Sequence, residues 1–185
     1  MSENPANPNE DALSNDATSD DQAFPRSGRL AAVDFGTVRI GIAICDPMWI
    51  LVSPLEIRQV SGEALDGPYF VSLAKREAID GFVVGLPIHC DGGESDKSRQ
   101  ARRFGKWLAE ITGKPVRLFD ERFTTSAAQA RMRSATASGK RTRHRLVDAI
   151  AAQVLLESFL EALRYRDELP GQSVSAKPAG DETIE

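Results

Sequence analysis

Four acids fall where apolar runs end. Asp34 closes "LAAVDF", Asp120 and Glu121 close "PVRLFDE", and Asp148 stands one turn into the amphipathic run Arg145–Arg166. Carboxylates drawn from three separate elements and gathered at one end of a sheet are oxygen ligands for a hard divalent cation, Mg²⁺ or Mn²⁺. Few are needed when phosphate oxygens and water complete the shell. Without a cation, such a group would repel itself and its pKa values would rise. Taken singly, each acid has a plainer reading. A strand-end acid forms turns or surface ion pairs, "DER" contains its own partner, and an acid near a helix start complements the dipole. Chance explains each residue more easily than all of them together.

The elements that must position these acids follow from the apolar pattern. Leu30–Phe35 and Ile40–Cys45 are β-branched-rich runs separated by "GTVR", which predicts a hairpin. Gly36 and Thr37 in that turn leave room for a phosphate beside Asp34. Leu51 to Arg58 reads as a third strand, and Pro54 assigns it to an edge or a bulge. Tyr69–Ile79 reads as a helix after a break at "GEALDGPYF". "GFVVGLP" is a fully apolar run, as in a buried central strand. Glu94–Thr112 carries Phe104, Trp107, Leu108 and Ile111 at helical spacing and stops at Gly113 and Pro115. After "PVRLFDE", Thr124 or Thr125 can cap a helix to about Ser134. "ATASGKRTRH" reads as a flexible loop, and Arg145–Arg166 as the last helix. This order predicts an α/β domain with a mixed five-stranded sheet, its first three strands antiparallel, flanked by helices.

The 185 residues and net charge of -4 hide a segregation of charge. Residues 1–27 carry six acids and one base, residues 167–185 five acids and one base, and residues 28–166 a net charge of +5. The first segment is too poor in apolar residues to offset its ordering entropy and predicts an acidic tail; 167–185 reads as a second. The mildly basic domain between them permits a polyanionic partner. The start lacks the basic and apolar regions of a signal peptide, and no run matches a membrane span. Cys45 and Cys90 have no metal-ligand spacing and read as free thiols, which suits a cytoplasmic protein.

Arg131–Arg145 holds six Lys/Arg and no acid just before Asp148, a placement that suits phosphate contacts by Lys140, Arg141 and Arg143. A solvated charge run is the alternative. No aromatic residue lies within it, so base stacking is not its role. Arg99, Arg102, Arg103 and Lys106 extend the basic track or line an exposed helix face. His89 and His144 lack ligand partners at any regular spacing. Trp107 fits the core stripe of its helix, and Trp49, in a turn, reads as a cover for the sheet edge.

"AAVDFGTVRIGIAICDP", "VVGLPIHCDGGES", "FDERFTTSAAQA" and "VDAIAAQVLLESFL", in that order from Arg29 to Leu163, resemble the YqgF/RuvX family. Its members resemble Holliday-junction resolvases and are regarded as pre-16S ribosomal RNA nucleases. The resemblance implies an RNase H-like fold and a nuclease that uses Mg²⁺ or Mn²⁺. By position, Asp34 is the implied first-strand ligand, Glu121 the second acid and Asp148 the helix acid, with Asp34 bridging two ions. Gly36, Thr37 and Arg39 match the family hairpin, and Gly85, Leu86 and Pro87 its central-strand exit. Asp91 and Gly92 match the loop that follows, and Arg122 and Thr125 the segment behind the second acid. Where the family usually has Pro after the first Asp, this chain has Phe35, which changes backbone stiffness and not the ligand. Wider relatives carry their second acid on the central strand, which is apolar here, so Asp91 and Asp120 stand beside Glu121 as alternatives.

The implied reaction is phosphodiester hydrolysis at the 5′ end of pre-16S ribosomal RNA, possible on the small ribosomal subunit, or in a four-way DNA junction. A binding module without catalysis is a further reading. An actin-like ATPase shares the Asp-x-Gly-Thr hairpin but needs two such domains, and the length provides for one.

Overall fold

Leu30, Ala32 and Asp34 alternate along the first strand with Ala31, Val33 and Phe35, and both rows up to Val33 are buried. A strand that is apolar on both faces must be covered on both faces. In the computed structural model it is the centre of a layered α/β domain. The described residues are 24–88, 95–120, 140–165 and 168–174, the side chains of 140–149 excepted. Strand β1 (Arg29–Phe35) turns into β2 (Arg39–Cys45), and β3 (Val52–Gln59) follows. Helix α1 (Glu63–Arg76) leads to β4 (Ile79–Leu86), and α2 (Asp96–Thr112) leads to β5 (Val116–Asp120). Helix α3 (Lys140–Tyr165) and β6 (Gln172–Val174) complete the described elements.

The sheet order is β3-β2-β1-β4-β5-β6. β1, β2 and β3 pair antiparallel, β4 and β5 continue parallel to β1, and β6 returns antiparallel to β5. On one face Val33, Ile40, Ile42, Val84 and Leu118 pack with Phe70 and Leu73 of α1 and Phe104 and Leu108 of α2. On the other, Leu30, Ala32, Val83 and Phe119 pack with Leu155, Leu156, Phe159 and Leu160 of α3. Pro54 lies on the edge strand, where the β2–β3 register also shifts, so both of its expected accommodations occur together.

Two helix starts differ from expectation. Helix α1 begins at Glu63, ahead of Pro68. Its first turn is held by the Gly62 carbonyl, and Asp66 accepts the Ser61 N–H and the Arg58 guanidinium, interactions that sequence periodicity does not display. Helix α3 begins at Lys140, so Lys140, Arg141 and Arg143 stand in helical backbone and not in a loop. Lys and Arg are good helix formers, and that propensity outweighs the poor fit of cations to a helix N-terminus.

Among the described residues the sheet has six strands, not five, and the sixth comes from the segment read as the start of the acidic tail. Buried Arg117 explains the attachment. Its guanidinium donates to the carbonyls of Leu169 (3.0 Å), Pro170 (2.8 Å) and Gly171 (2.8 Å). Gly171 adopts φ +82°, and a Cβ there would lie 2.4 Å from the Leu118 carbonyl oxygen. That turn therefore requires glycine. At the other end, Phe24 is buried against Phe159, their centroids 5.8 Å apart, so the packed part of the chain begins inside the stretch read as an acidic tail to residue 27.

Candidate active site

Asp34 is the last residue but one of β1 and lies in antiparallel register with Gly41 of β2. On its other side, the parallel pair Val33–Val84 brings Asp34 level with Gly85 of β4. Leu30 and Ala32, the residues of the same alternating row, belong to the core beneath α3. The Asp34 carboxylate therefore extends from the α3 face between two positions that carry no side chain. A half-exposed carboxylate at a strand end is a donor that a hydrated cation can reach.

The turn after Asp34 is tight. The Gly36 N–H donates to the Arg39 carbonyl at 3.0 Å, and a Cβ on Gly36 would lie 2.7 Å from that oxygen. Thr37 is exposed at the tip, and Arg39 opens β2 opposite Gln59. Over the ends of β1 and β4 lies a cavity of about 290 Å³ lined by Asp34, Phe35, Gly36, Thr37, Pro87, Lys97 and Gln100. Ligands of α/β sheets bind beyond the carboxyl ends of strands where the chain departs to opposite sides. β1 is such a strand, with its hairpin partner on one side and the crossover strand β4 on the other.

Helix α3 runs antiparallel to β1. Its C-terminal half reaches the β2–β3 turn, where Arg164 donates to the Trp49 carbonyl and Gln153 to the Val52 carbonyl. Its N-terminal half therefore extends toward the Asp34 end of the sheet. From position 148 to Leu156 the helix rises about 12 Å, and β1 advances about 13 Å from Leu30 to Asp34. Position 148 lies one turn before buried Ala152, on the helix face of Leu155 and Phe159. It is also eight residues beyond the helix start, too far in for the helix dipole to account for an acid. The Asp148 side chain is outside the described residues.

Asp120 ends β5 in register with Leu86. Alternation sets it on the side of Val116 and Leu118, which pack with α1 and α2, whereas Phe119 faces α3. Asp120 and Asp34 thus belong to opposite faces of the sheet. Glu121, Arg122, Thr125, Asp91 and His89 lie outside the described residues, as do the side chains of Lys140, Arg141, Arg143 and His144. Among the described residues, no three His, Cys, Asp or Glu side chains form a group able to hold a metal ion. No described helix is long and apolar enough to cross a membrane.

Asp34 and Thr37 come together at the cavity, joined by Lys97 and Gln100, which sequence reasoning did not single out. Their signal was available, since Lys97, Gln100, Phe104 and Trp107 recur at helical spacing along α2. Of the other basic residues there, Arg99 pairs with Asp96, and Arg102 donates to Gln172 at 2.5 Å. Trp49, read from the sequence as a cover for the sheet edge, packs instead on the α3-side core, its indole N–H donating to the Gly28 carbonyl at 2.6 Å just before the central strand.

Residues 28–162 match the family model described as RuvX, Holliday junction resolvase. A Rhodopirellula baltica protein named "Putative pre-16S rRNA nuclease" is 60% identical over 168 residues, covering 91% of this chain and 96% of that protein. Proteins of the same name from Zymomonas mobilis and Streptomyces coelicolor are 36% and 39% identical, over 76% and 80% of this chain and 85% and 89% of theirs. Among solved structures, T. thermophilus RuvC in complex with a Holliday junction substrate superposes with a TM-score of 0.50 at 12% identity, covering 80% of this chain and 99% of that one. At that identity the likeness concerns the fold, which is RNase H-like.

Proposed function

The chain belongs to the RuvX family, and on that premise we propose that it is a divalent-metal-dependent nuclease whose substrate is the 5′ end of pre-16S ribosomal RNA. The observation that carries this reading is the position of Asp34, a carboxylate at a strand end with glycine at the facing position of each neighbouring strand. Carboxylate donors suit Mg²⁺ or Mn²⁺, and the cavity that Asp34 lines leaves room for phosphate oxygens in the same shell. Asp34, Glu121 and Asp148 would hold the metal. When bound, it supplies an activated water and charge stabilisation for in-line phosphodiester hydrolysis.

The rest of the work falls to the chain. Three carboxylates must be ionised together, which they tolerate only in the presence of a cation. Thr37 and Lys97 line the same cavity as Asp34 and can hold non-bridging phosphate oxygens. Arg39, Arg122 and Thr125 would support the strand near the scissile group. Lys140, Arg141 and Arg143, in the first turns of α3, would contact the backbone further along. An RNA substrate of this kind assigns the protein to the cytoplasm.

Cleavage of a four-way DNA junction is the second reading, favoured by the description of the matching family. One experiment tests both. The full-length protein is incubated with an RNA spanning the immature 16S 5′ end and, separately, with a four-way DNA junction, each with Mg²⁺, Mn²⁺ or EDTA. The proposal expects metal-dependent cleavage of the RNA. Cleavage of the junction alone would transfer the activity to the second reading.

A further inference from the structure

Beside the Asp34 cavity lies a second cleft, of about 340 Å³, between the β1–β2 hairpin and helices α1 and α2. The two share Phe35, Thr37 and Gln100 as walls. Phe35 stacks on Phe104, with centroids 4.4 Å apart and planes 19° from parallel, and Trp107 tilts against Phe104 at 5.5 Å. Phe35 and Trp107 are only partly buried. The exposed polar side chains around it are Arg103, Thr37 and Glu63, beside the half-buried Gln100, whose amide both donates and accepts. Asp66, deeper in, is already committed to Arg58 at 2.8 Å and to the Ser61 N–H at 3.0 Å. Along α2, Lys97, Gln100, Arg103 and Trp107 form one stripe from the carboxylate to the aromatic wall.

We propose that this cleft receives one unstacked nucleobase of the single-stranded segment whose phosphate lies at Asp34, an inference that rests on the nuclease reading above. The occupant follows from the combination. Aromatic faces take a base by stacking regardless of its identity, and amide and guanidinium groups at the rim meet its edge. Phe35 faces α1 and α2 while Asp34 belongs to the α3 row, and the two sites meet around the strand end through the walls they share, Phe35, Thr37 and Gln100. A duplex presents a base here only by unpairing it and flipping it out of the stack, which costs free energy that a single strand does not have to supply. The cleft thus confers a preference for single-stranded or frayed nucleic acid.

Binding is tested without cleavage. The full-length protein carrying 5-fluorotryptophan has two ¹⁹F resonances, from Trp49 and Trp107, and a Trp107→Phe variant assigns them. Tetrameric oligo(U) and oligo(A) RNA, ribose 5-phosphate and a blunt RNA duplex are titrated in EDTA. The expected result is a saturable shift of the Trp107 signal by both tetramers and none by ribose 5-phosphate or the duplex, with Trp49 unmoved. Arg103→Ala, at an exposed position, and Phe35→Leu should each weaken tetramer binding roughly tenfold, whereas Lys114→Ala should leave it unchanged. A silent Trp107 at millimolar tetramer, or a shift caused equally by ribose 5-phosphate, overturns the proposal. So does a response confined to an apolar dye such as anilinonaphthalene sulfonate, which would mark a cleft for another class of partner. Each of these results leaves the nuclease reading standing, since that reading is decided by cleavage.

Discussion

Asp34 on β1 stands opposite Gly41 on β2, so the position facing the residue that ends the buried row carries no side chain of its own. A side chain added at Gly41 would stand beside the carboxylate on the face that α3 covers. Gly41→Val, a residue suited to strands, is expected to keep the fold by circular dichroism while weakening Mn²⁺ binding by at least about tenfold. Isothermal titration of the folded variant measures this, and wild-type Mn²⁺ affinity would show that the space has no role.

The second acid can be decided by a pair of variants. Alternation along β5 turns Asp120 toward α1 and α2, away from the face of Asp34. Asp120→Asn should therefore retain cleavage within a few-fold. Glu121→Gln should lose about 100-fold or more, since even residues that only support a metal ligand cost 10–100-fold. The reverse pattern would make Asp120 the ligand.

The basic start of α3 should act through charge alone. Replacing Lys140, Arg141 and Arg143 with Gln keeps helix propensity and removes three cations. Each phosphate contact on a single strand contributes roughly 0.7 to the slope of log affinity against log salt, so the triple variant should lose a slope of about 2. Fluorescence anisotropy over a salt series measures the slope, and an unchanged value would remove these residues from the binding surface.

Arg117 ties down the C-terminal strand. Arg117→Leu leaves three carbonyls without their buried donor and should cost about 3 kcal/mol. Urea denaturation of the variant and of a chain ending at residue 167 should give similar losses, because both detach β6. A variant as stable as the wild type would contradict the role of the guanidinium.

Asp46 organises the β2–β3 turn and should give stability a pH dependence in acid. The N–H of Leu51 foremost, with those of Met48 and Ile50, holds its carboxyl below the ordinary 3.8. A carboxyl with a depressed folded-state pKa stabilises the fold above its unfolded value, and that contribution disappears as pH falls through the lower folded value. Asp46→Asn should thus narrow the stability difference between pH 6 and pH 2.5 in thermal melts, and an unaltered difference would exclude the turn as its source.

Much of this architecture was legible in the chain, and the exceptions have physical causes. β1, β2 and β4 announce themselves because burial on both faces demands unbroken apolar runs, and α2 because Gly113 and Pro115 close a clear stripe. β6 is three residues long and owes its place to a guanidinium 55 residues before it, a debt that no local pattern records. The early start of α3 was hidden by charge that argues against a helix N-terminus. At the site, Asp34 was evident as an acid in an apolar strand. That Asp34 and Asp120 occupy opposite faces depends on register across three strands, which spacing along one chain does not contain. Trp107 reads as an ordinary core residue because its helical periodicity is that of the core it borders, and Phe35 stands out only as a departure from the family's Pro.

The most direct measurement of the central claim is Mn²⁺-dependent cleavage of an RNA spanning the immature 16S 5′ end by Asp34→Asn beside the wild type. Asn preserves the shape and removes the charge that a hard cation needs. The account predicts at least a 100-fold loss of rate, the order expected when a principal electrostatic group of a reaction is removed, with unchanged thermal stability. Wild-type cleavage by Asp34→Asn would contradict it.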